Sequence, residues 1–184
     1  MINYRTGESE ADLRGILDLQ KQNLRQNLSL EEITTQGFVT VQHSFEQLYN
    51  LNQTEKHVIA EYNGQVIAYL LAMTIISEHE VPVLRPMFER FKELIINNRG
   101  ITSYNYLVVG QVCVAKEYRG KGVLFSCYKA YKDFYSANYD FAITEISSLN
   151  SRSLNAHKKI GFKEIDRYKD SSGIEWIVIV WDWN

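Results

Sequence analysis

The chain has 184 residues, 45% of them hydrophobic, which is one domain's length and enough apolar material for a core without metal or disulfide staples. Lys and Arg number 20 against 22 Asp and Glu, a net charge of −2, so the basic surplus of a general nucleic-acid binder is missing. The longest apolar run, around Val66 to Ile76, is interrupted at Ala68-Tyr69 and Thr74 and falls far short of the ~18 residues of a membrane span.

The opening, Ile2 to Glu10, is polar and carries acids, unlike a signal peptide. Cys113 and Cys127 form no C-x-x-C pair and sit in apolar surroundings, as free thiols of a reducing compartment do. The expectation is a cytoplasmic protein with no membrane and no nucleic-acid partner. His43, His57 and His79 lack metal-ligand spacing, so no metal is expected.

In chain order, Ser9 to Gln26 reads as a helix, with Ser9 and Asp12 set as a capping pair and Leu13, Ile16, Leu17 and Leu24 at helical spacing. Gly37 to Val41 reads as extended. Ser44 caps a short helix through Phe45, Leu48 and Leu51. His57–Tyr62 and Gln65–Thr74 are strands joined by Asn63-Gly64, the strongest hairpin signal in the chain. An inserted segment, 78–100, is helical from Pro86 to Ile96. Tyr104–Val114 is a long strand, Val123–Ala137 an aromatic-rich helix, Phe141–Ile146 a strand, Ser151–Lys159 a helix, and Lys163–Tyr168 and Trp176–Trp183 are closing strands. No repeat or linker divides the chain, so 1–184 reads as a single α/β domain with a mixed sheet and helices on both faces.

The most informative stretch runs from Gln111 to Leu124. A strand ends, Arg119-Gly120-Lys121-Gly122 turns, and a helix starts at Val123. Two glycines permit close approach of an anion, the helix start offers free N–H groups, and Arg119 and Lys121 add positive charge. This composition suits a pyrophosphate. It fits neither G-x-x-x-x-G-K-[ST] nor G-x-G-x-x-G.

Arg119-Gly120-Lys121-Gly122-Val123-Leu124 resembles the Q/R-x-x-G-x-G/A loop of the N-acetyltransferase (GNAT) superfamily, with Leu124 in the last, usually small, place. Asn150 to Phe162 resembles the family's second signature, N-x-x-A-x-x-x-Y-x-x-x-G-F. Asn150, Gly161 and Phe162 match, Ser153 replaces Ala, and His157 replaces Tyr. The likeness is good from about Ile59 to Phe162 and looser in the N-terminal helices and the insertion.

The resemblance implies a largely antiparallel α+β sheet with splayed central strands and acetyl-CoA as co-substrate. Its pantetheine would lie along Val112, Cys113 and Val114. Its pyrophosphate would lie on Arg119, Gly120, Lys121, Gly122, Val123 and Leu124, with Asn150 and Ser153 alongside. Direct attack by a primary amine, small-molecule or peptide, needs a base. The Glu that many members carry early in the fourth strand is missing from Leu107-Val108-Val109-Gly110. Glu145, five residues before Asn150, is the first candidate and Glu61 the second; His157 is the candidate acid for the departing thiolate. Self-association is common in the family, so a homodimer is among the expected arrangements. Two other readings stay open: a non-catalytic acyl-CoA-binding regulatory module, and an acyltransferase using another acyl chain or a hydroxyl acceptor.

Overall fold

The computed structural model describes residues 1–183. Its elements are β1 (Asn3–Thr6), α1 (Glu10–Asn23), α2 (Leu30–Gln36), α3 (Phe45–Thr54), β2 (Val58–Tyr62), β3 (Gln65–Met73), α4 (Arg85–Lys92), β4 (Ile95–Ile96), β5 (Arg99–Gly100), β6 (Tyr106–Val114), α5 (Val123–Tyr135), β7 (Phe141–Ser147), α6 (Ser151–Ile160), β8 (Lys163–Lys169) and β9 (Glu175–Asp182). Seven strands form one sheet in the order β1-β2-β3-β6-β7-β9-β8. Every pairing in it is antiparallel except β6 with β7.

Strand alternation builds two cores, one on each face. On β3, Tyr69, Leu71 and Met73 face α1, α3 and α4, in a cluster with Ile16, Leu48, Phe88 and Phe91. Ala68, Leu70 and Ala72 face the opposite side, with Val123, Cys127, Tyr128 and Tyr131 of α5. Those α5 positions recur at helical spacing, so the tyrosine-rich helix is core.

Local chemistry sets most boundaries. Ser9 with Asp12 and Ser44 with Gln47 form reciprocal capping boxes at the starts of α1 and α3. Asn63 and Gly64 adopt φ of 50° and 76°, the left-handed pair of a tight hairpin turn. Three expectations shift. Sequence reading passes over α2, although Ser29 and Glu32 form a capping box for it. It also passes over β1, which is held only by long-range pairing to β2. The helix expected to reach Ile96 stops at Lys92, because Asn97 and Asn98 take φ of 49° and 62° and fold Ile95-Ile96 back on Arg99-Gly100.

The strand pair that matters for function is β6 and β7. Their parallel pairing extends only over Tyr106–Phe141, Leu107–Ala142 and Val108–Ile143. Beyond Val108 the strands part. Gly110 is the extra residue of a bulge there, since Leu71 pairs with Gln111 and Ala72 with Val109. A Cβ on Gly110 would lie 2.3 Å from Met73 Sδ, so any larger residue where the strands diverge would have to displace the buried Met73 side chain.

Candidate active site

The gap between β6 and β7 opens into two adjoining cavities. The first, about 650 Å³, runs from Val112–Val114 past the Arg119–Gly122 turn to α6. The second, about 880 Å³, lies on the far side of the splay between Gly110–Val112, Thr144–Ser147 and the ends of β8 and β9. Val112, Phe38, Val39, Asn150, Ser153 and His157 line both.

The walls of the first cavity carry the hydrogen-bonding groups of an extended ligand. The Ala115 N–H donates to Ile67 O at 2.8 Å. Strand alternation then turns the amide groups of Val114 and Val112 the other way, into the splay. At the open end, Gly120 and Gly122 have φ of 73° and 80°, a conformation that side-chain-bearing residues rarely adopt. A Cβ at either would meet nothing within 4 Å, so the requirement is backbone conformation and the turn faces open space. Gly122 caps α5 without a side-chain hydrogen bond, leaving the first-turn amides of Val123 and its successors available to an anion. Leu124, in the place of a small residue, is half-buried against the α5-side core and still lines the cavity.

The cations near this turn are differently employed. The guanidinium of Arg119 folds inward, donating to Val114 O at 2.9 Å and to Asn23 Oδ1, and so ties the end of α1 to the end of β6. The Lys121 ammonium is exposed, 5.9 Å from the Tyr118 ring centroid. Cys113 is buried, and burial pushes its thiol up to about 12, so it is neutral at physiological pH.

Asn150 caps α6, its Oδ1 accepting from Ser153 N–H at 3.3 Å. Its Nδ2 donates to Phe38 O at 2.9 Å, clamping the 37–39 loop over both cavities. His157 is buried on α6. Its Nδ1 lies 2.8 Å from Ser153 O, which fixes the proton on that nitrogen, and its Nε2 accepts from Tyr128 Oη at 2.6 Å. Burial drives the imidazole down to about 4, against a weaker opposing pull from Ser153 O. The ring is therefore neutral near pH 7. The candidate acid is thus no imidazolium near pH 7, and its one ring N–H is held by Ser153 O.

Glu145 projects from β7 into the second cavity. Its Oε2 accepts a 2.6 Å hydrogen bond from Tyr168 Oη on β8. Burial pushes the carboxyl up to about 7, partly offset by the Tyr168 hydrogen bond and assisted by the charge of Asp170. A carboxylate titrating there suits proton abstraction at neutral pH. Glu61, the second candidate base, sits elsewhere. Its Oε1 accepts from the Gly64 N–H at 2.9 Å, and Oε2 lies 3.6 Å from Arg5, so it stabilises the β2–β3 turn; it lines neither cavity.

Two residues of the site are not reached by sequence reasoning. Tyr168 meets Glu145 because β9 stands between β7 and β8 in the sheet; its only signal is an aromatic among the charges of Lys163–Lys169. Gln111 accepts from Tyr69 Oη at 2.6 Å and Gln20 Nε2 at 2.7 Å, and donates to Val41 O at 2.8 Å. That network fastens the 38–43 strap over the second cavity. Among the described residues, no group of three or more His, Cys, Asp or Glu could hold a metal, and no helix is long and apolar enough to cross a membrane.

A mixed sheet that splays beside a glycine turn and helix start is the architecture of an acyl-CoA-handling acyltransferase. Residues 26–162 match the family model described as Acetyltransferase (GNAT) family, and the chain belongs to that family. A search of curated protein sequences gives no match. Among solved structures, the chain is similar to one from the NatC complex bound to Gag peptide and CoA, with TM-score 0.65, 15% identity, and coverage of 100% of this chain and 99% of that one. It is similar to Arabidopsis thaliana Naa50 in complex with the bisubstrate analogue CoA-Ac-MVNAL, with TM-score 0.63, 13% identity and 99% of each chain covered. The Escherichia coli ribosomal-protein-S18-alanine N-acetyltransferase gives 0.62 and 12%, covering 99% and 94%. At these identities the likeness is one of fold.

Proposed function

We propose that the protein transfers the acetyl group of acetyl-CoA to a primary amine by direct attack. The observation that carries this reading is the position of Glu145, a carboxyl pushed up to about 7, in a cavity that meets the candidate cofactor groove at Val112, Asn150 and His157. Pyrophosphate would sit on the turn amides from Gly120 to Val123, and pantetheine along Val112 and Val114. The family membership and the CoA and bisubstrate ligands named for the similar structures support this assignment.

An amine acceptor with a Lys-like pKa of ~10.4 arrives protonated. Glu145 takes its proton directly or through water. The free –NH2 nitrogen attacks the thioester carbonyl and a C–N bond forms; the bonded nitrogen gives its second proton to water as the oxyanion collapses back to a carbonyl and the C–S bond breaks. The Val112 N–H facing the splay is placed to stabilise the oxyanion. The thiolate leaves and takes its proton from water, because both nitrogens of His157 are already engaged. Soluble and cytoplasmic action remains part of this proposal.

The test is turnover of acetyl-CoA with a panel of primary amines, following free thiol and the mass of the acceptor. Acetyl-CoA binding without acetylation of any amine would overturn the catalytic reading and favour a binding module.

A further inference from the structure

The charge and shape of the second cavity narrow the acceptor. Its acidic lining groups are Glu145, whose carboxyl burial pushes up to about 7, and Asp170, which accepts from Ser172, Ile174 and Trp176; among the described residues no Lys or Arg lines it. Arg90, 5.7 Å from the Tyr168 ring centroid, is committed to Asp166 at 2.7 and 2.9 Å and to Glu93 at 2.9 Å. His157 is neutral, and its ring N–H is used by Ser153 O. The start of α4 at the cavity edge offers little to an anion: Pro86 has no N–H, and the Arg85 N–H donates to Pro82 O. The Trp176 indole N–H is held by Asp170 at 2.8 Å. Facing the acids is an apolar wall that includes Val41, Val83, Leu84 and Met87.

We infer that the acceptor is an apolar primary amine whose α-carbon bears no carboxylate, such as an amino amide or the amino end of a peptide, and not a free amino acid. The ammonium form of such an amine is attracted by Glu145 and Asp170 before it gives up its proton. A zwitterionic amino acid would carry its carboxylate within a few ångströms of the amine, close to the Glu145 and Asp170 carboxyls, with no cation in the lining to pair it. Burying an unpaired charge among like charges is strongly unfavourable. The side group of the amine finds the apolar wall, and about 880 Å³ holds an amino amide or a short peptide end.

This inference rests on the acetyl-transfer reading for turnover, and a binding arm separates the two. Leucine, leucinamide and leucyl-leucinamide are compared for kcat/KM with acetyl-CoA, and for calorimetric binding to the protein with CoA bound. The expected result is at least a tenfold advantage of leucinamide over leucine in both measurements. Leucyl-leucinamide well above leucinamide identifies a peptide end as the source; equal values identify a small amine. Leucine equal to or better than leucinamide overturns the inference while leaving acetyl transfer standing. Selective leucinamide binding without turnover keeps the inference and sinks the transfer reading. Absence of both binding and turnover for all three overturns the inference. Ser171→Lys, which sets a cation at the cavity rim, is expected to narrow the gap between leucine and leucinamide at least threefold; an unchanged gap in a folded variant counts against the charge argument.

Discussion

The Tyr168 hydroxyl donates to Glu145 Oε2 at 2.6 Å, joining the edge strand β8 to β7 across β9 in the wall of the larger cavity. The bond holds the carboxylate in one orientation and draws its titration downward against burial, which pushes it up to about 7. The carboxyl in turn raises the tyrosine, second to the tyrosine's own burial.

Removing each partner has a distinct signature. Glu145→Gln keeps the shape and removes basicity, so turnover should fall by ~10²-fold or more with acetyl-CoA affinity retained. Tyr168→Phe removes a donor that favours the carboxylate, so the rising limb of the rate against pH should move upward from about pH 7. The measurement is kcat/KM from pH 5.5 to 9 for wild type and both variants. A Tyr168→Phe profile that coincides with wild type would show that the hydrogen bond does not tune the base. A full-rate Glu145→Gln would assign proton removal to solvent.

At the glycine turn, backbone conformation and charge can be separated. Gly122 has φ of 80° at the start of α5. Asparagine tolerates this region better than other side chains, and aspartate has nearly the same shape. Gly122→Asp should weaken acetyl-CoA binding at least tenfold, about 1.4 kcal/mol, while Gly122→Asn should lose much less. Calorimetric titration of both folded variants tests this. Equal affinities for Asp, Asn and glycine would remove the pyrophosphate from this turn.

Three buried histidines tie stability to pH. Burial lowers His43 to about 4, His57 to about 3 and His157 to about 4. A lowered folded pKa stabilises fully above the unfolded value near ~6.5, and that contribution is lost as pH falls toward the folded values. These three groups together would lower stability by up to about 4 kcal/mol per pH unit between those limits, and Glu145 offsets about 1.4 kcal/mol of it. Glu145 acts oppositely: its raised pKa stabilises most below ~4.5, and that part is lost as pH rises through 7. Urea unfolding at pH 7.5, 6 and 5 should therefore show a falling midpoint, with a shallower fall in His157→Phe. The same variant leaves the buried Tyr128 hydroxyl without its acceptor, at a cost of about 1–3 kcal/mol at pH 7.5. A midpoint unchanged from pH 7.5 to 5 would contradict the buried neutral rings.

What the sequence determined by itself is local. The capping residues Ser9 and Ser44, the Asn63-Gly64 turn and the glycines at 120 and 122 dictate backbone conformation within a few residues, so α1, α3, the hairpin and the glycine turn are legible from the chain alone. The two signatures identify the family for the same reason, since each is a contiguous run whose spacing survives without knowledge of its neighbours. Tertiary structure decided the rest. Glu61 and Glu145 look alike as acids in strands; one is spent on a turn and the other is desolvated beside Tyr168, a residue 23 positions later in the chain. His157 occupies the Tyr place of the motif, yet its ionisation is set by burial, against a weaker pull from Ser153 O, in a core to which Tyr128, 29 residues earlier, contributes a hydrogen bond. Proton affinity depends on solvent exclusion and on partners brought together across the sheet, and neither quantity is written in any short stretch of residues.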